Sequence, residues 1–292
     1  MKRLAFGLVA GLFGLALPAC GDTAAATGWV VGAGVTEPDE AGWRQVDPAH
    51  LFIFETSKGR VLIEAFPEVA PGHFAHFSKL ISSGDLDGTP FHRVLDDFMA
   101  QGGDIRTMIG KEPGWPSIKG EFTFQRDVAV IPLEASIGPA DSALSGLYKG
   151  LPLLTRPAFF AEMSANGKVE SAVPHCRGIV STARTSDPNS ADTQFFLMRE
   201  TSPQLDKKYT AWGRVIAGQN VVKAIKFGAE PSGTVTDPDI LISAKVAADQ
   251  PEAKRPKAWV LRTDTPEFAA ELAAMGDVEV CSLPPVPAIV KG

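Results

Sequence analysis

Two short runs on either side of Ser57-Lys58-Gly59 constrain the fold of this chain more than any other feature. In Leu51–Thr56 and Arg60–Phe66, side chains at every second position share a face, as Phe52 and Phe54 do in the first run. A period of two residues is that of a β-strand, and a short polar turn between two such runs is typical of a β-hairpin. The 23 prolines and 28 glycines among 292 residues also favour turns and extended segments over a helical bundle. The sequence therefore predicts a mainly β protein.

Helical patterns are few. Pro71 suits the first position of a helix, and the apolar residues that follow recur at helical spacing as far as Gly84, a typical helix end. A second, shorter helix is predicted over Asn220–Phe227, before Gly228. We therefore expect strands to form the body of the fold and two helices to lie against it.

Two separate blocks carry the side chains with chemical potential. Phe91–Asp104 has the sequence FHRVLDDFMAQGGD, and Asp192–Leu197 has the sequence DTQFFL. Together they offer one guanidinium, two amides and several large apolar groups, but no nucleophile paired with a base. No Asp/His/Ser set or Cys/His metal spacing is present either, so hydrolase and zinc functions have weak support. This inventory suits non-covalent chemistry on an apolar ligand.

The segments FHRV, DFM and QGGD, followed in order by TQFF, closely resemble the cyclophilin family of peptidyl-prolyl cis-trans isomerases. The resemblance covers about residues 50–248, apart from an insertion at about 135–174. It implies a closed eight-stranded antiparallel β-barrel capped by two α-helices. It also implies an enzyme that accelerates rotation about X-Pro bonds in proline-containing polypeptides, without a cofactor or a metal ion.

The resemblance assigns the catalytic role to Arg93, whose donors would face the prolyl nitrogen. That nitrogen gains a lone pair as the amide twists, and a guanidinium stays charged and is weakly hydrated in an apolar site. Apolar residues would hold the proline ring, and two glutamines would hydrogen-bond the substrate backbone. The substrate-binding residues implied in this way are Phe98, Met99, Gln101, Ala183, Arg184, Thr185, Gln194, Phe196, Leu205 and Tyr209.

Three positions depart from the common pattern of the family. Ala183-Arg184-Thr185 replaces Ala-Asn-Ala along the groove, so we expect substrate contacts with the backbone to persist and those with side chains to change. Gln204 replaces a tryptophan frequent in eukaryotic members, which is expected to weaken cyclosporin-like ligands more than catalysis. Tyr209 stands where many members have histidine, and an aromatic ring with a polar tip can fill the same wall.

Charge and histidine placement bear on other functions. The formal net charge of -6, without a basic cluster, argues against nucleic acid as the main partner. His92 and His175 are interpreted as hydrogen-bonded buried residues rather than general bases. We expect a monomer. The alternative from another class is a cyclophilin-fold chaperone or peptide-binding module without turnover, which an insertion lying over the groove would favour.

The N-terminal segment indicates export. Met1–Cys20 has two basic residues followed by an apolar run too short to span a membrane. Two main interpretations stay open: Leu17–Cys20 is a lipobox and Cys20 becomes a lipidated first residue, or cleavage near Ala24–Ala26 releases a soluble protein. A retained membrane anchor is the third. We expect the periplasm or the bacterial envelope, with a lipid anchor as the only membrane contact, and an N-terminal arm over residues 21–49.

Beyond Ala248 the composition changes to a polar linker and then a small extension, residues 249–292. We predict a strand, a helix and a second strand there, over Ala258–Arg262, Pro266–Met275 and Val278–Cys281.

The remaining cysteines, Cys176 and Cys281, form an even pair if Cys20 is lipidated or removed. Either they form a disulfide that ties the tail to the body, or they are two buried free thiols. An envelope lipoprotein scaffold is a third functional hypothesis, which rests on Cys20 and the extra tail.

Overall fold

The computed structural model describes residues 38–110 and 114–292. The predicted signal segment Met1–Cys20, with the lipidation at Cys20, lies outside these residues. The strands of the described part are β1 (Trp43–Gln45), β2 (Leu51–Thr56), β3 (Gly59–Ala65), β4 (Arg93–Val94), β5 (Met99–Gly102), β6 (Phe124–Asp127), β7 (Ala135–Ile137), β8 (Ser145–Tyr148), β9 (Leu151–Thr155), β10 (Lys168–Ala172), β11 (Ile179–Thr182), β12 (Phe195–Met198), β13 (Ala211–Ala217), β14 (Leu241–Val246), β15 (Lys257–Leu261) and β16 (Ala288–Lys291). The α-helices are α1 (Pro71–Ser83), α2 (Ile105–Ile109), α3 (Phe160–Met163), α4 (Gln219–Ala224) and α5 (Pro266–Ala274).

Eight strands form one antiparallel sheet in the order β14-β2-β3-β13-β11-β12-β5-β4. The predicted hairpin is confirmed, because β2 and β3 pair in register from Leu51 opposite Glu64 to Thr56 opposite Gly59. The sheet is curled into a half-barrel. The predictions of a mainly β fold and of eight antiparallel strands are therefore confirmed.

Backbone hydrogen bonds connect the segments next to the two edge strands. Gly88 N donates to Leu241 O at 2.7 Å, and Phe91 N donates to Asp239 O at 2.9 Å. No ladder joins β4 directly to β14 among the residues that the structure describes. The eight strands are therefore a curled half-barrel, and full closure stays a prediction.

The core lies on the inner side of this curl, where α1 covers the sheet. Phe77 of α1 stacks on Trp212 of β13 with ring centroids 4.7 Å apart, and both side chains are fully buried. Each such side chain contributes about 1.5–3 kcal/mol when it is removed from water. The helix begins at Pro71 as predicted, and Gly84 at its end has a φ of 81°, which glycine adopts without strain.

The insertion forms a second antiparallel sheet in the order β6-β10-β9-β8-β7. Because β6 pairs with β10, this sheet begins at Phe124, before the predicted boundary near residue 135. Its interior contains Arg126, which is almost completely buried. The guanidinium donates to the Thr155 and Ser171 hydroxyls and to the Ile131 carbonyl. The insertion is thus a packed unit with its own polar interior.

A third sheet, β1-β15-β16, joins the two ends of the described chain. Trp43 of β1 is buried and lies opposite Leu261 of β15, so the described end of the N-terminal arm is packed against the C-terminal extension.

The predicted strand at Val278–Cys281 is wrong: Val280–Ser282 is one turn of 3-10 helix, and the second strand of the extension is Ala288–Lys291. The observed strand begins only after the prolines at 284, 285 and 287, which lack the N–H group that sheet pairing needs.

An ion network holds the arm and the insertion on the large sheet. Arg44 Nη1 lies 2.7 Å from Glu64 Oε1, and Arg214 Nη2 lies 3.3 Å from Glu64 Oε2. Both arginines also donate to the carbonyl oxygen of Lys149, in the turn between β8 and β9. Glu64 and Arg214 are buried, so the attraction between them is only weakly screened by water.

Cys176 and Cys281 are joined by a disulfide. Cys176 lies just before β11 of the large sheet, and Cys281 lies in the helical turn of the extension, 105 residues further along the chain. The bond therefore ties the C-terminal extension to the large sheet.

Candidate active site

Pairing across three neighbouring strands collects the predicted site residues. Arg93 of β4 lies opposite Gln101 of β5, which in turn lies opposite Phe196 of β12. Residues that face each other in an antiparallel pair project from the same face of the sheet. Met99 lies two positions before Gln101 and therefore shares this face. Strand register alone thus places a guanidinium, an amide and two apolar groups side by side.

The Arg93 guanidinium is held by two oxygen atoms. Its Nε donates to the Ser232 carbonyl at 3.0 Å, and its Nη1 donates to Gln101 Oε1 at 3.4 Å. Its Cζ lies 6.0 Å from the centre of the Phe98 ring. Among the described residues no carboxylate forms an ion pair with it, so the protein orients the charge beside Phe98 without neutralising it.

The two predicted glutamines form the next link. Gln101 Nε2 donates to Gln194 Oε1 at 2.8 Å, while the backbone carbonyl of Gln194 accepts from Ala183 N at 2.9 Å. Gln101 therefore accepts from Arg93 and donates to Gln194. This polar row runs from β4 towards the segment after β11.

The family resemblance predicts that aromatic and aliphatic side chains form the wall of a proline pocket next to this row. Met99 and Phe196 are almost fully buried, while Phe98, Leu205 and Tyr209 are half-buried and pack on the core. The Phe196 and Tyr209 rings meet edge to face with centroids 5.9 Å apart. A pocket of this composition suits a proline ring, because it offers apolar area and no competing hydrogen bond.

His175 supports the wall from the interior. Its ring stacks on Phe196 with centroids 6.1 Å apart, Nδ1 lies 3.1 Å from Asp206 Oδ1, and Nε2 lies 3.1 Å from Ser181 Oγ. The ring is fully buried. His175 therefore fixes Phe196 and the loop that carries Asp206, as its interpretation as a hydrogen-bonded buried residue requires.

Arg184 contacts the protein rather than open solvent. Its Nε and Nη2 donate to the Lys208 carbonyl at 3.0 and 2.8 Å, and its Nη1 donates to the Thr185 carbonyl at 2.8 Å. The guanidinium lies between two rings, with Cζ 4.5 Å from the centre of Tyr209 and 5.4 Å from that of Phe122. Each of its nitrogens already has a partner, so Arg184 bears on the pocket mainly through Tyr209.

Thr185 is the predicted site residue with the weakest link to the pocket. It is exposed, and its hydroxyl lies 2.7 Å from Ser190 Oγ within the turn that follows. The backbone of Ala183, by contrast, is tied to Gln194. Thr185 therefore closes its own turn, while Ala183 is joined to the residue that Gln101 also contacts.

Sequence reasoning missed two contributors. Ser232 supplies the carbonyl that orients Arg93, and Phe122 supplies one face of the Arg184 sandwich. Neither has a local pattern that identifies it, because Ser232 lies in a Gly- and Pro-containing loop 139 residues from Arg93 and acts only through its backbone. For Phe122, the only sign in the sequence is an aromatic side chain just ahead of the insertion.

His92, next to Arg93, is half-buried, and its interpretation as a hydrogen-bonded buried residue is not met at Nδ1. Burial lowers the pKa of His92 from its ordinary value of 6.5, and the nearby Asp104 offsets this only in part. Its Nδ1 is buried without a hydrogen-bond partner among the described residues. Burial therefore favours the neutral form of this ring, whereas the guanidinium of the neighbouring Arg93 carries a permanent positive charge.

The part of the chain that the structure describes offers neither a metal site nor a membrane span. No group of three or more His, Cys, Asp or Glu residues is arranged there to hold a metal ion. No helix there has both the length and the apolar character needed to cross a bilayer. The arrangement as a whole can bind an apolar ring, hydrogen-bond an extended backbone and place a charged donor beside the bound amide.

Three comparisons with known proteins agree with this geometry. The family model described as cyclophilin type peptidyl-prolyl cis-trans isomerase/CLD matches residues 51–246. A probable peptidyl-prolyl cis-trans isomerase of Brucella abortus (strain 2308) is 32% identical over 204 residues, covering 70% of this chain and 85% of the relative. The crystal structure of cyclophilin AquaCyp293 from Hirschia baltica has a TM-score of 0.80 and 46% sequence identity, covering 86% of this chain and 94% of that chain.

The chain therefore belongs to the cyclophilin-type peptidyl-prolyl cis-trans isomerase family. The family defines the reaction, cis-trans isomerisation of peptidyl-prolyl bonds, which its members catalyse without a cofactor. The resemblance found in FHRV, DFM, QGGD and TQFF is confirmed.

Proposed function

We propose that this isomerase acts on proline-containing segments of exported polypeptides, as a single chain, with Arg93 as the catalytic donor. The observation that carries the proposal is the position of the guanidinium. It lies beside Phe98, is oriented by the Ser232 carbonyl and by Gln101, and has no described carboxylate as an ion-pair partner. A charge that is oriented but not neutralised can still act on a substrate.

The reduction of the rotation barrier that Arg93 has to supply is moderate. Rotation of a prolyl amide has a barrier of about 18–20 kcal/mol because it destroys amide resonance, and it takes tens to hundreds of seconds unaided. Shortening this to milliseconds requires about four to five decades, or roughly 5.5–7 kcal/mol. A donor aimed at the prolyl nitrogen favours the twisted amide over the planar one, since only the twisted form has a localised lone pair there. No bond has to break.

The neighbouring groups would supply positioning. Met99, Phe98 and Phe196 would hold the proline ring, and the Gln194 amide and the Ala183 backbone would hydrogen-bond the substrate chain. Gln101 would keep Arg93 and Gln194 in register, because it is hydrogen-bonded to both. Holding the amide next to the guanidinium contributes to catalysis by removing the entropy cost of finding that geometry.

A short proline peptide tests the isomerase activity directly. The protein should accelerate the cis-to-trans step of an Ala-Pro tetrapeptide in a protease-coupled assay at catalytic concentration.

The second candidate function is peptide binding without turnover, and the position of the insertion favours it. Glu170 of β10 forms an ion pair with Lys207, in the loop between Leu205 and Tyr209. Saturable peptide binding with the uncatalysed isomerisation rate would support that candidate instead.

Export is supported by composition and by chemistry. Met1–Cys20 has the basic start and short apolar run of a signal segment, and a disulfide between Cys176 and Cys281 suits an oxidising compartment. We propose a periplasmic or envelope location, with Cys20 as a lipidated residue.

Wild-type protein should enter the detergent phase on partition and Cys20→Ala should stay in the aqueous phase. Equal partition of both would exclude the lipid anchor, and recovery from the cytoplasm would exclude export.

A further inference from the structure

The hydrogen bonds around His175 determine where its ring protons lie. Nδ1 of this fully buried ring lies 3.1 Å from Asp206 Oδ1, and the same oxygen accepts from the backbone N of His175 at 2.7 Å. An ionised carboxylate accepts hydrogen bonds and cannot donate one. Imidazole is also the stronger base of the two groups, so the hydrogen between them belongs to the ring. Nδ1 is therefore an N–H donor.

The other ring nitrogen faces a hydroxyl whose hydrogen is already used. Nε2 of His175 lies 3.1 Å from Ser181 Oγ, and this Oγ donates to the Thr210 carbonyl at 2.7 Å. A hydroxyl has a single hydrogen, so Ser181 can only accept from Nε2. If the hydroxyl turned towards Nε2 instead, two buried oxygen atoms would stand 2.7 Å apart with no hydrogen between them, which is costly. Nε2 is therefore an N–H donor as well.

An imidazole ring with two N–H groups is a cation, because the neutral ring has one N–H and one lone pair. Side chains from three elements face this ring: Ser181 of β11, Phe196 of β12, and Asp206 and Tyr209 of the loop at 205–209. Among these described groups Asp206 alone carries a charge, and Tyr209 also contacts the guanidinium of Arg184. A buried cation needs such a paired and hydrogen-bonded counter-charge. His175 and Asp206 therefore form a buried ion pair.

This ion pair joins residues that are predicted to hold the proline ring. The His175 ring stacks on Phe196 with centroids 6.1 Å apart and meets Tyr209 edge to face at 6.5 Å. Its counter-charge, Asp206, directly follows Leu205 in the loop at 205–209. The pair thus connects a side chain of β12 to both ends of this loop.

We propose that His175 is held as an imidazolium by Asp206 and Ser181, and that the resulting ion pair positions Phe196 against the loop at 205–209 around the substrate proline. This rests on the proposed function of the proline pocket. His175 is a positioning residue in this account, because it acts through Phe196 and the loop. The hydrogen bonds of Arg93 go to Ser232 and Gln101 and do not involve the pair. Weakening the pair should therefore change substrate binding more than the catalytic step.

Nuclear magnetic resonance of protein labelled with ¹⁵N-histidine tests the protonation state at neutral pH. An imidazolium shows two ring nitrogens of the N–H type, whereas a neutral ring shows one N–H and one bare nitrogen. The chain has five histidines, and the signals lost in His175→Gln assign those of His175. We expect two N–H nitrogens in wild-type protein. A bare ring nitrogen at His175 would overturn the proposal.

Three substitutions test the positioning role. Asp206→Asn keeps the shape of the side chain and removes its charge, while Asp206→Glu keeps the charge. Asp264→Asn is the matched control, since it removes the carboxylate of an exposed ion pair with Arg262 in the extension. The coupled assay gives KM and kcat for an Ala-Pro tetrapeptide, fluorescence anisotropy gives its dissociation constant, and circular dichroism checks folding.

Asp206→Asn should raise KM and the dissociation constant by about five- to tenfold, which is within the range of coupling between residues of one hydrogen-bond network. It should change kcat less than about twofold, and one ring nitrogen of His175 should lose its hydrogen. Asp206→Glu should retain both N–H groups and bind the peptide more tightly than Asp206→Asn. Asp264→Asn should match wild type throughout. Wild-type KM and dissociation constant in a folded Asp206→Asn variant would overturn the positioning role, as would a loss confined to kcat.

Failure of the proposed function gives a different result, because wild-type protein would then not accelerate the tetrapeptide at all. The nitrogen signals and the peptide dissociation constants would still report the ion pair and its effect on the pocket, since neither needs turnover. If Asp206→Asn does not fold, the wild-type nitrogen signals and the Asp206→Glu variant decide the question.

Discussion

The guanidinium carbon of Arg184 lies 4.5 Å from the centre of the Tyr209 ring, and each nitrogen of that guanidinium donates to a backbone carbonyl. Tyr209 in turn meets Phe196, and both are predicted to line the proline pocket. Arg184 is therefore a positioning residue that connects the segment after β11 to the loop at 205–209. Its effect on a substrate passes through Tyr209.

Arg184→Ala should raise KM for a proline peptide by about three- to tenfold and change kcat less, because it loosens the pocket wall without touching the donor. Arg184→Lys should restore little, since an ammonium lacks the planar fork that binds two carbonyls and stacks on a ring. A double-mutant cycle with Tyr209→Ala measures the link between the residues. Strictly additive effects on kcat/KM would show that Arg184 acts by another route.

Glu64 should be essential for stability. It is buried between Arg44 and Arg214, and Glu64→Gln leaves the buried Arg214 without its counter-charge. Loss of one partner of a buried ion pair costs about 3–5 kcal/mol in the free energy of unfolding. Urea unfolding followed by tryptophan fluorescence measures this.

Glu55→Gln is the matched control for Glu64→Gln. Glu55 lies on the neighbouring part of the same hairpin, and its ion pair with Arg60 is largely exposed. Exposed pairs contribute about 0–1 kcal/mol. Equal destabilisation by the two substitutions would contradict the role of the buried network.

The disulfide should contribute measurably to stability. Cys176 and Cys281 are 105 residues apart, so the bond closes a long loop in the unfolded chain. Replacing both by serine should lower the free energy of unfolding by about 2–4 kcal/mol. Dithiothreitol should destabilise wild type by a similar amount and leave the double variant unaffected. Two free thiols in native wild-type protein would contradict the bond.

Stability should fall as the pH drops below 6.5. Burial lowers the pKa of His92, and likewise that of His76, from the ordinary value of 6.5. Between the lowered folded pKa and 6.5 the unfolded chain binds more protons than the folded one, so acid favours unfolding there. His92→Gln removes part of this proton uptake and should flatten the decline between pH 6.5 and 5. A decline identical to that of wild type would show that His92 is not the group responsible.

The sequence predicted those parts of the fold that depend on local patterns. The hairpin at 51–66 follows from period-two alternation, and α1 follows from Pro71, helical spacing and Gly84. The second strand of the extension was misplaced because Cys281 is held in a disulfide and the prolines that follow move the strand to Ala288–Lys291. A local residue pattern carries no information about such contacts between distant parts of the chain.

The residues of the candidate site fall into the same two groups. Arg93, Gln101 and Phe196 could be assigned from motifs, and strand register brings them together. The Ser232 carbonyl and the Phe122 ring could not, since each reaches the site through loop geometry. The place of Arg184 in a substrate groove stays a prediction, and only the structure shows its nitrogens satisfied by backbone carbonyls.

The catalytic role of Arg93 is tested most directly by kcat/KM for an Ala-Pro tetrapeptide with wild type, Arg93→Lys and Arg93→Ala. Removing a donor that acts on the transition state lowers the rate by about 100- to 1,000-fold, and we expect this for Arg93→Ala, with peptide affinity changed less than about tenfold. Arg93→Lys should recover only part of the rate, because it keeps the charge but not the fork. An Arg93→Ala variant that turns over within threefold of wild type would contradict the account.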